Sequence, residues 1–228
     1  MVSRLRIGMH SAGRGLLLAG TVTALAAVTA CSRVPGIYTY ESKSVAAAPG
    51  AAAFNAKTYV DSIWSSRVVP TVHSKAVDAR TLLTAIQADQ AAAGKRYGRQ
   101  AGTGSPYSFL VKGTGKVTKV DTSVPTGPVT VALSGGAVRG TAAFLATGPV
   151  IAGTSLRDAV GFIDFSQFTN QLDFAAVATQ LNNRVKTDVL AKIDRASLVG
   201  KQVSFEGAFS LLDPANILIV PTSLTVTQ

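Results

Sequence analysis

Residues 153–171, GTSLRDAVGFIDFSQFTNQ, hold the densest mixture of hydrogen-bonding and aromatic groups in a chain whose charged residues amount to only 15%. Thr154 and Ser155 stand where a short helix would begin, and either can cap it. Unpaired N–H groups and the helix dipole favour an anion at such a start. Arg157, two residues in, can grip a carboxylate or phosphate with two parallel hydrogen bonds. Asn170 and Gln171 offer the paired donors and acceptors that suit sugar hydroxyls, and Phe162, Phe165 and Phe168 can stack on a sugar or purine face. Asp158 and Asp164 are a candidate carboxylate pair of the kind that hydrolyses glycosides. The same residues fit a second reading, in which nothing is bound. Arg157 then pairs with Asp158 or Asp164, Asn170 caps the next helix, and the phenylalanines fill the barrel, a satisfied network that only fixes geometry.

Other chemistry is poorly represented. After the leader the one histidine is His73, between two expected helices, and a lone histidine is more often a surface polar residue than a base. There is no G-x-S-x-G nucleophile turn, no S-x-x-K and no H-E-x-x-H, so neither a serine nucleophile nor a metal is indicated. GTGK at 113–116 lacks the spacing of a phosphate loop, and Val117 stands where a hydroxyl would hold magnesium; its glycines suit a bent strand. Lys95, Arg96 and Arg99 form the basic tip of an expected loop, 94–106, where solvation accounts for them. No cofactor is expected.

The elements that carry these residues follow from periodicity. Asn55 can cap a helix with Tyr59, Val60, Ile63, Trp64 and Val68 on one face, stopped by Pro70. Ser74 can cap a second, with Val77, Leu82, Leu83 and Ile86, ended by Gly94. From Ser108 the period becomes two. Strands are expected at 108–121, 128–133 and 139–151, then a helix at about 172–194, then strands at 201–211 and 216–226. The fold class is therefore α+β. Five strands with a long helix between the third and fourth give an OB-like antiparallel β-barrel over 108–226, behind two N-terminal helices in 55–94. A half-open sheet packed by helices fits the same order.

The chain also opens with an address. Arg4, Arg6 and Arg14 precede an apolar run, Leu16 to Ala30, whose 15 residues fall short of the roughly 20 that span a bilayer. The only cysteine, Cys31, follows Val28-Thr29-Ala30, which resembles the lipobox of bacterial lipoproteins. That resemblance implies a signal peptide at 1–30 and a lipidated Cys31 as the mature N-terminus. Residues 31–54 then read as a lipidated end and small-residue tether, and 55–228 as one globular domain. Lipidation leaves no thiol for a disulfide or metal. Loss of the three leader arginines lowers the formal charge from +10 to +7. Outside the cytosol such a charge suits anionic lipid or wall polymer, and nucleic acid is not an expected partner.

Several segments together resemble DUF2291, a family of predicted bacterial periplasmic lipoproteins. They are CSRVP at 31–35, YVDSIWSSRVVPTV at 59–72, RYGRQAGTGSPYSFLVKGTGKV at 96–117, GPVIAGTSLRDAVGFIDFSQFTNQ at 148–171 and GKQVSFEGAF at 200–209. Members of that family commonly lie beside sugar ABC-transport genes. The resemblance therefore implies a non-enzymatic, membrane-anchored envelope protein assisting sugar uptake. Its partners would be the membrane, through the lipid, and a solute-binding protein or permease. Two alternatives stand: a small envelope hydrolase using Asp158 and Asp164, and a purely structural lipoprotein.

Overall fold

Asn55 caps the first helix as its sequence suggests, its side chain accepting from the Thr58 N–H in a computed structural model that describes residues 53–227. Helix α1 (Ala56–Ile63) continues through one π-helical turn, Trp64–Val68, into α2 (Val69–Lys75). Pro70 was expected to end this helix and instead lies inside it. A proline removes one hydrogen bond and presses on the carbonyl four residues back. The π turn, in which the Val69 N–H bonds the Trp64 carbonyl, shifts the ladder just ahead of Pro70 and relieves that clash.

After the two-residue β1 (Val77–Asp78), Asp78 rather than Ser74 caps α3 (Ala79–Ala88), accepting from the Thr81 N–H. The Ser74 hydroxyl donates instead to the Thr71 carbonyl inside α2. Asp89 then caps a separate helix, α4 (Gln90–Tyr97), followed by β2 (Gly98–Arg99). The expected second helix is thus two, and Gly94 through Tyr97 of the expected loop are helical because Asp89 starts a new turn there.

The expected barrel is present and closed. Strands β3 (Ser108–Val120), β4 (Pro128–Leu133), β5 (Ala142–Ala146), β6 (Gln202–Ser210) and β7 (Asn216–Thr227) pair in the order β3-β4-β5-β7-β6, and β6 returns to β3. One pairing, β5 with β7, is parallel. This qualifies the all-antiparallel expectation for a geometric reason: directions cannot alternate all the way round a ring with an odd number of strands.

Strand β3 serves two partners, pairing with β6 over Ser108–Lys116 and with β4 over Gly115–Val120. Gly115 belongs to both ladders, and a Cβ there would strike the Ala132 carbonyl oxygen and the Val131 side chain. The glycines of GTGK let the strand turn from one neighbour to the other. The edge of β3 that β4 leaves free carries β1, at Val77↔Val111, and β2, at Gly98↔Phe109.

Two cores result. Inside the barrel lie Phe109, Val117, Val131, Phe205, Phe209 and Ile219, with Phe109 and Phe209 stacked at 5.1 Å and α3 closing the end through Leu82, Leu83 and Ile86. Outside it, Leu110, Ala208 and Val220 stand in register across β3, β6 and β7. They are covered by Val60, Trp64 and Val72 of the first helix, by α5 (Ser155–Val160) and by α6 (Gln171–Arg184). Burial on both faces explains why Ser108 to Val111 are all buried, where a half-exposed strand would alternate. Helix α6 runs on through a π turn (Val185–Val189) and a 3-10 turn (Leu190–Lys192), filling the expected span between the third and fourth barrel strands.

Candidate functional site

The polar groups of 153–171 are spent largely on one another. Thr154 occupies the cap position of α5 but makes no cap hydrogen bond; its Oγ1 donates to Asp158 Oδ2 at 2.6 Å. Arg157 Nε donates to Asp158 Oδ1 at 2.8 Å, and the two side chains are only 9% and 10% exposed. Arg157 Nη1 donates to the Phe174 carbonyl at 3.2 Å, and its guanidinium carbon lies 3.6 Å from the centre of the Phe174 ring. The carboxylate that Arg157 grips is the chain's own Asp158, which accepts from the Thr154 hydroxyl as well. Ser155, beside them, is buried.

Asp164 caps a 3-10 turn, Phe165–Gln167, accepting from the Ser166 N–H at 2.9 Å and the Ser166 hydroxyl at 2.7 Å. Those bonds, the hydroxyl's first, hold its carboxyl below the ordinary carboxylate range. Asn170 caps α6, accepting from the Asp173 N–H at 2.9 Å, and Gln171 is the first, exposed residue of that helix. The barrel phenylalanines expected from this stretch are elsewhere, because Phe109, Phe205 and Phe209 already fill the lumen. Phe168 meets Phe54 at 5.3 Å and Tyr59 at 5.6 Å, Phe165 meets Phe174 at 5.6 Å, and the Arg67 guanidinium covers Phe162 at 4.1 Å. They fasten the loop to α1 and α6 on the outside.

Two cavities beside α5 are lined by polar residues of this stretch. One, about 280 Å3, is bounded by Arg99, Gln100, Asp158, Asp164, Phe165 and Phe174. The other, about 350 Å3, takes Thr154, Ser155, Arg157 and Asp158 on one wall and Leu212, Leu218 and Val220 on another. Asp158 lines both. Five of the expected site residues thus come together, while Asn170 and Gln171 line neither cavity. Sequence reasoning missed Arg99 and Gln100 as wall residues. Only the pairing of β2 with β3, and the left-handed Gly161 (φ 73°) that leaves room for the Arg99 side chain above it, place them there.

The smaller cavity combines hydrogen-bond acceptors, a guanidinium and an exposed aromatic residue, Phe165, a set suited to a polyhydroxylated ligand. Among the described residues no group of three or more His, Cys, Asp or Glu is placed to hold a metal ion, and no helix is long and apolar enough to cross a membrane. Cys31 and nearly all of the expected tether lie outside the described residues.

The sequence profile of the predicted periplasmic lipoproteins DUF2291 matches residues 21–225. The chain belongs to this family. An OB-fold protein from Thermotoga maritima, solved by crystallography, superposes with a TM-score of 0.62 over 77% of this chain and 100% of its own. At 21% identity the likeness is one of fold, and it agrees with the closed five-stranded barrel of this DUF2291 chain. No curated protein matches the chain.

Proposed function

We propose that this DUF2291 protein is a non-enzymatic lipoprotein, anchored through a lipidated Cys31, that assists sugar uptake through an ABC-type transporter. The observation that carries the reading is the cavity of about 280 Å3 in which Asp158 and Asp164 face the space beside Phe165 and Phe174. Ionised carboxylates accept from sugar hydroxyls, and an aromatic face stacks on the ring. The cavity is just under the usual range of roughly 300–1,000 Å3 for ligand pockets, which favours a small sugar. An anchor and tether would raise the effective concentration of the domain near a solute-binding protein or permease.

A hydrolase reading draws on the same cavity, since both carboxylates line it. Acid catalysis requires a carboxyl that holds a proton near working pH. The Ser166 bonds keep Asp164 ionised, and both oxygens of Asp158 already accept from Arg157 and Thr154. Acceptors for hydroxyls fit these two groups better than an acid and a base.

A panel of free sugars read by thermal shift tests the proposal. Stabilisation that grows with the concentration of one sugar is expected, and it should vanish in Asp164→Asn while the unliganded melting temperature changes little. A blank panel supports a purely structural lipoprotein. Glycoside turnover by the wild type that Asp158→Asn abolishes makes the protein an enzyme.

A further inference from the structure

A third cavity, also of about 350 Å3, opens where β3 is bare between its two short edge partners. Strand β1 pairs from Val111 onward and β2 up to Phe109, so Leu110 is left between them and forms the floor, with Ala159 of α5 on one wall. Four cations converge here from three elements: Lys75 at the end of α2, Lys95 and Arg96 in the last turn of α4, and Arg99 in β2. Among the described residues, none of the four has a carboxylate within ion-pair distance or a side-chain hydrogen-bond partner. The ion pairs among the described residues are made by Lys57, His73, Lys119, Arg157 and Arg184.

Solvation alone explains single exposed cations, and several others on this surface are unpaired too. What distinguishes these four is that they line one concave space, where solvent screening between them is weaker than on an open surface. The carbonyl ends of α2 and α4 point to the same region, but two helix dipoles supply only about one negative charge against four positive ones. An excess positive potential remains.

We infer that this cavity is a phosphate-binding site, with the forks of Arg96 and Arg99 taking the phosphate oxygens and Lys75 and Lys95 adding charge from the rim. Arginine's planar fork matches two oxygens at once, whereas lysine acts as a point charge. Tyr97, whose ring lies under Arg96 at 4.9 Å, holds that guanidinium in place. The site stands apart from the sugar cavity, which shares with it only Gly98 and Arg99, and it does not rest on the sugar reading. The bound group is either a soluble phosphate monoester or the phosphodiester headgroup of a lipid.

Calorimetric titration of the full chain separates these cases. The probes are inorganic phosphate, glucose 6-phosphate, and glycerophosphoglycerol, the deacylated headgroup of phosphatidylglycerol. Binding of at least one probe is expected, weakened about tenfold or more in Arg96→Gln/Arg99→Gln, as losing charge-assisted bonds requires. A second pair, Lys75→Gln/Lys95→Gln, leaves β2 untouched and should weaken binding in the same direction. The control pair Lys186→Gln/Lys192→Gln removes equal charge outside the cavity and should leave affinity unchanged. Preference for the monoesters identifies a soluble ligand, and preference for the diester identifies a membrane headgroup. Failure of all three probes to bind, or equal weakening by the control pair, overturns the site.

Discussion

The guanidinium of Arg157 lies over the ring of Phe174, its carbon 3.6 Å from the ring centre, and also donates to the carbonyl of the same residue. One side chain thus joins α5 to the first turns of α6 and leaves its Nε for Asp158. A charged pair this well covered is held by geometry, and its weak point is the partner left behind. Arg157→Ala strands the Asp158 carboxylate in a site where it is 10% exposed, and a loss of about 3–5 kcal/mol in unfolding free energy is expected. Urea denaturation measures it. Arg157→Lys should recover little, because an ammonium cannot both stack on Phe174 and reach Asp158 as a fork does. Near-wild-type stability in Arg157→Ala would show that the pair is free to rearrange.

Asn170 belongs to the same stretch but answers differently. Its side chain caps α6 and touches neither cavity, so Asn170→Ala should cost about 1 kcal/mol and leave ligand binding intact. Loss of sugar binding with unchanged stability would return Asn170 to the candidate site.

The carboxyl of Asp164 provides a pH signature. Its folded-state value is depressed, so the stabilisation it gives is present above the ordinary value of 3.8 and lost as pH falls through the lower folded value. Ser166→Ala removes the largest cause, the hydroxyl bond, and keeps the backbone one. Carbon-detected NMR titration should therefore find the Asp164 carboxyl titrating at higher pH in Ser166→Ala than in wild type, with no change at Asp213. A coincident titration in both proteins would mean the hydroxyl contributes nothing.

Gly115 tests the bend in β3. A side chain there would be driven into the backbone of β4 at Ala132, which cannot yield without breaking the ladder. Gly115→Val should cost about 1–3 kcal/mol or more, as overpacking does, and a substituted protein that melts like wild type would contradict the close approach.

Much of this architecture is readable from local pattern. Alternation from Val111 onward, the Asn55 cap and the long apolar face from Phe174 to Val189 are short-range signals, and the barrel follows from their order. What escaped is set by neighbours in space or by rare backbone. Pro70 reads as a helix stop, because nothing in the residue pattern announces the π turn that accommodates it. The outer core is hidden because Leu110, Ala208 and Val220 become one surface only through strand register. For the candidate site, the pairing of Arg157 with its sequence neighbour Asp158 was one of two open readings. The walls supplied by Arg99 and Gln100, and the meeting of Lys75 with Lys95, depend on two-residue strands too short to carry a period.

The central claim, assistance to sugar uptake from the membrane, is most directly tested by initial rates of labelled sugar uptake in cells lacking this protein, across a panel of sugars. Slower uptake of one sugar is predicted, restored by the wild-type gene and not by Cys31→Ser. Unchanged uptake of every sugar in the deletion strain would contradict the account.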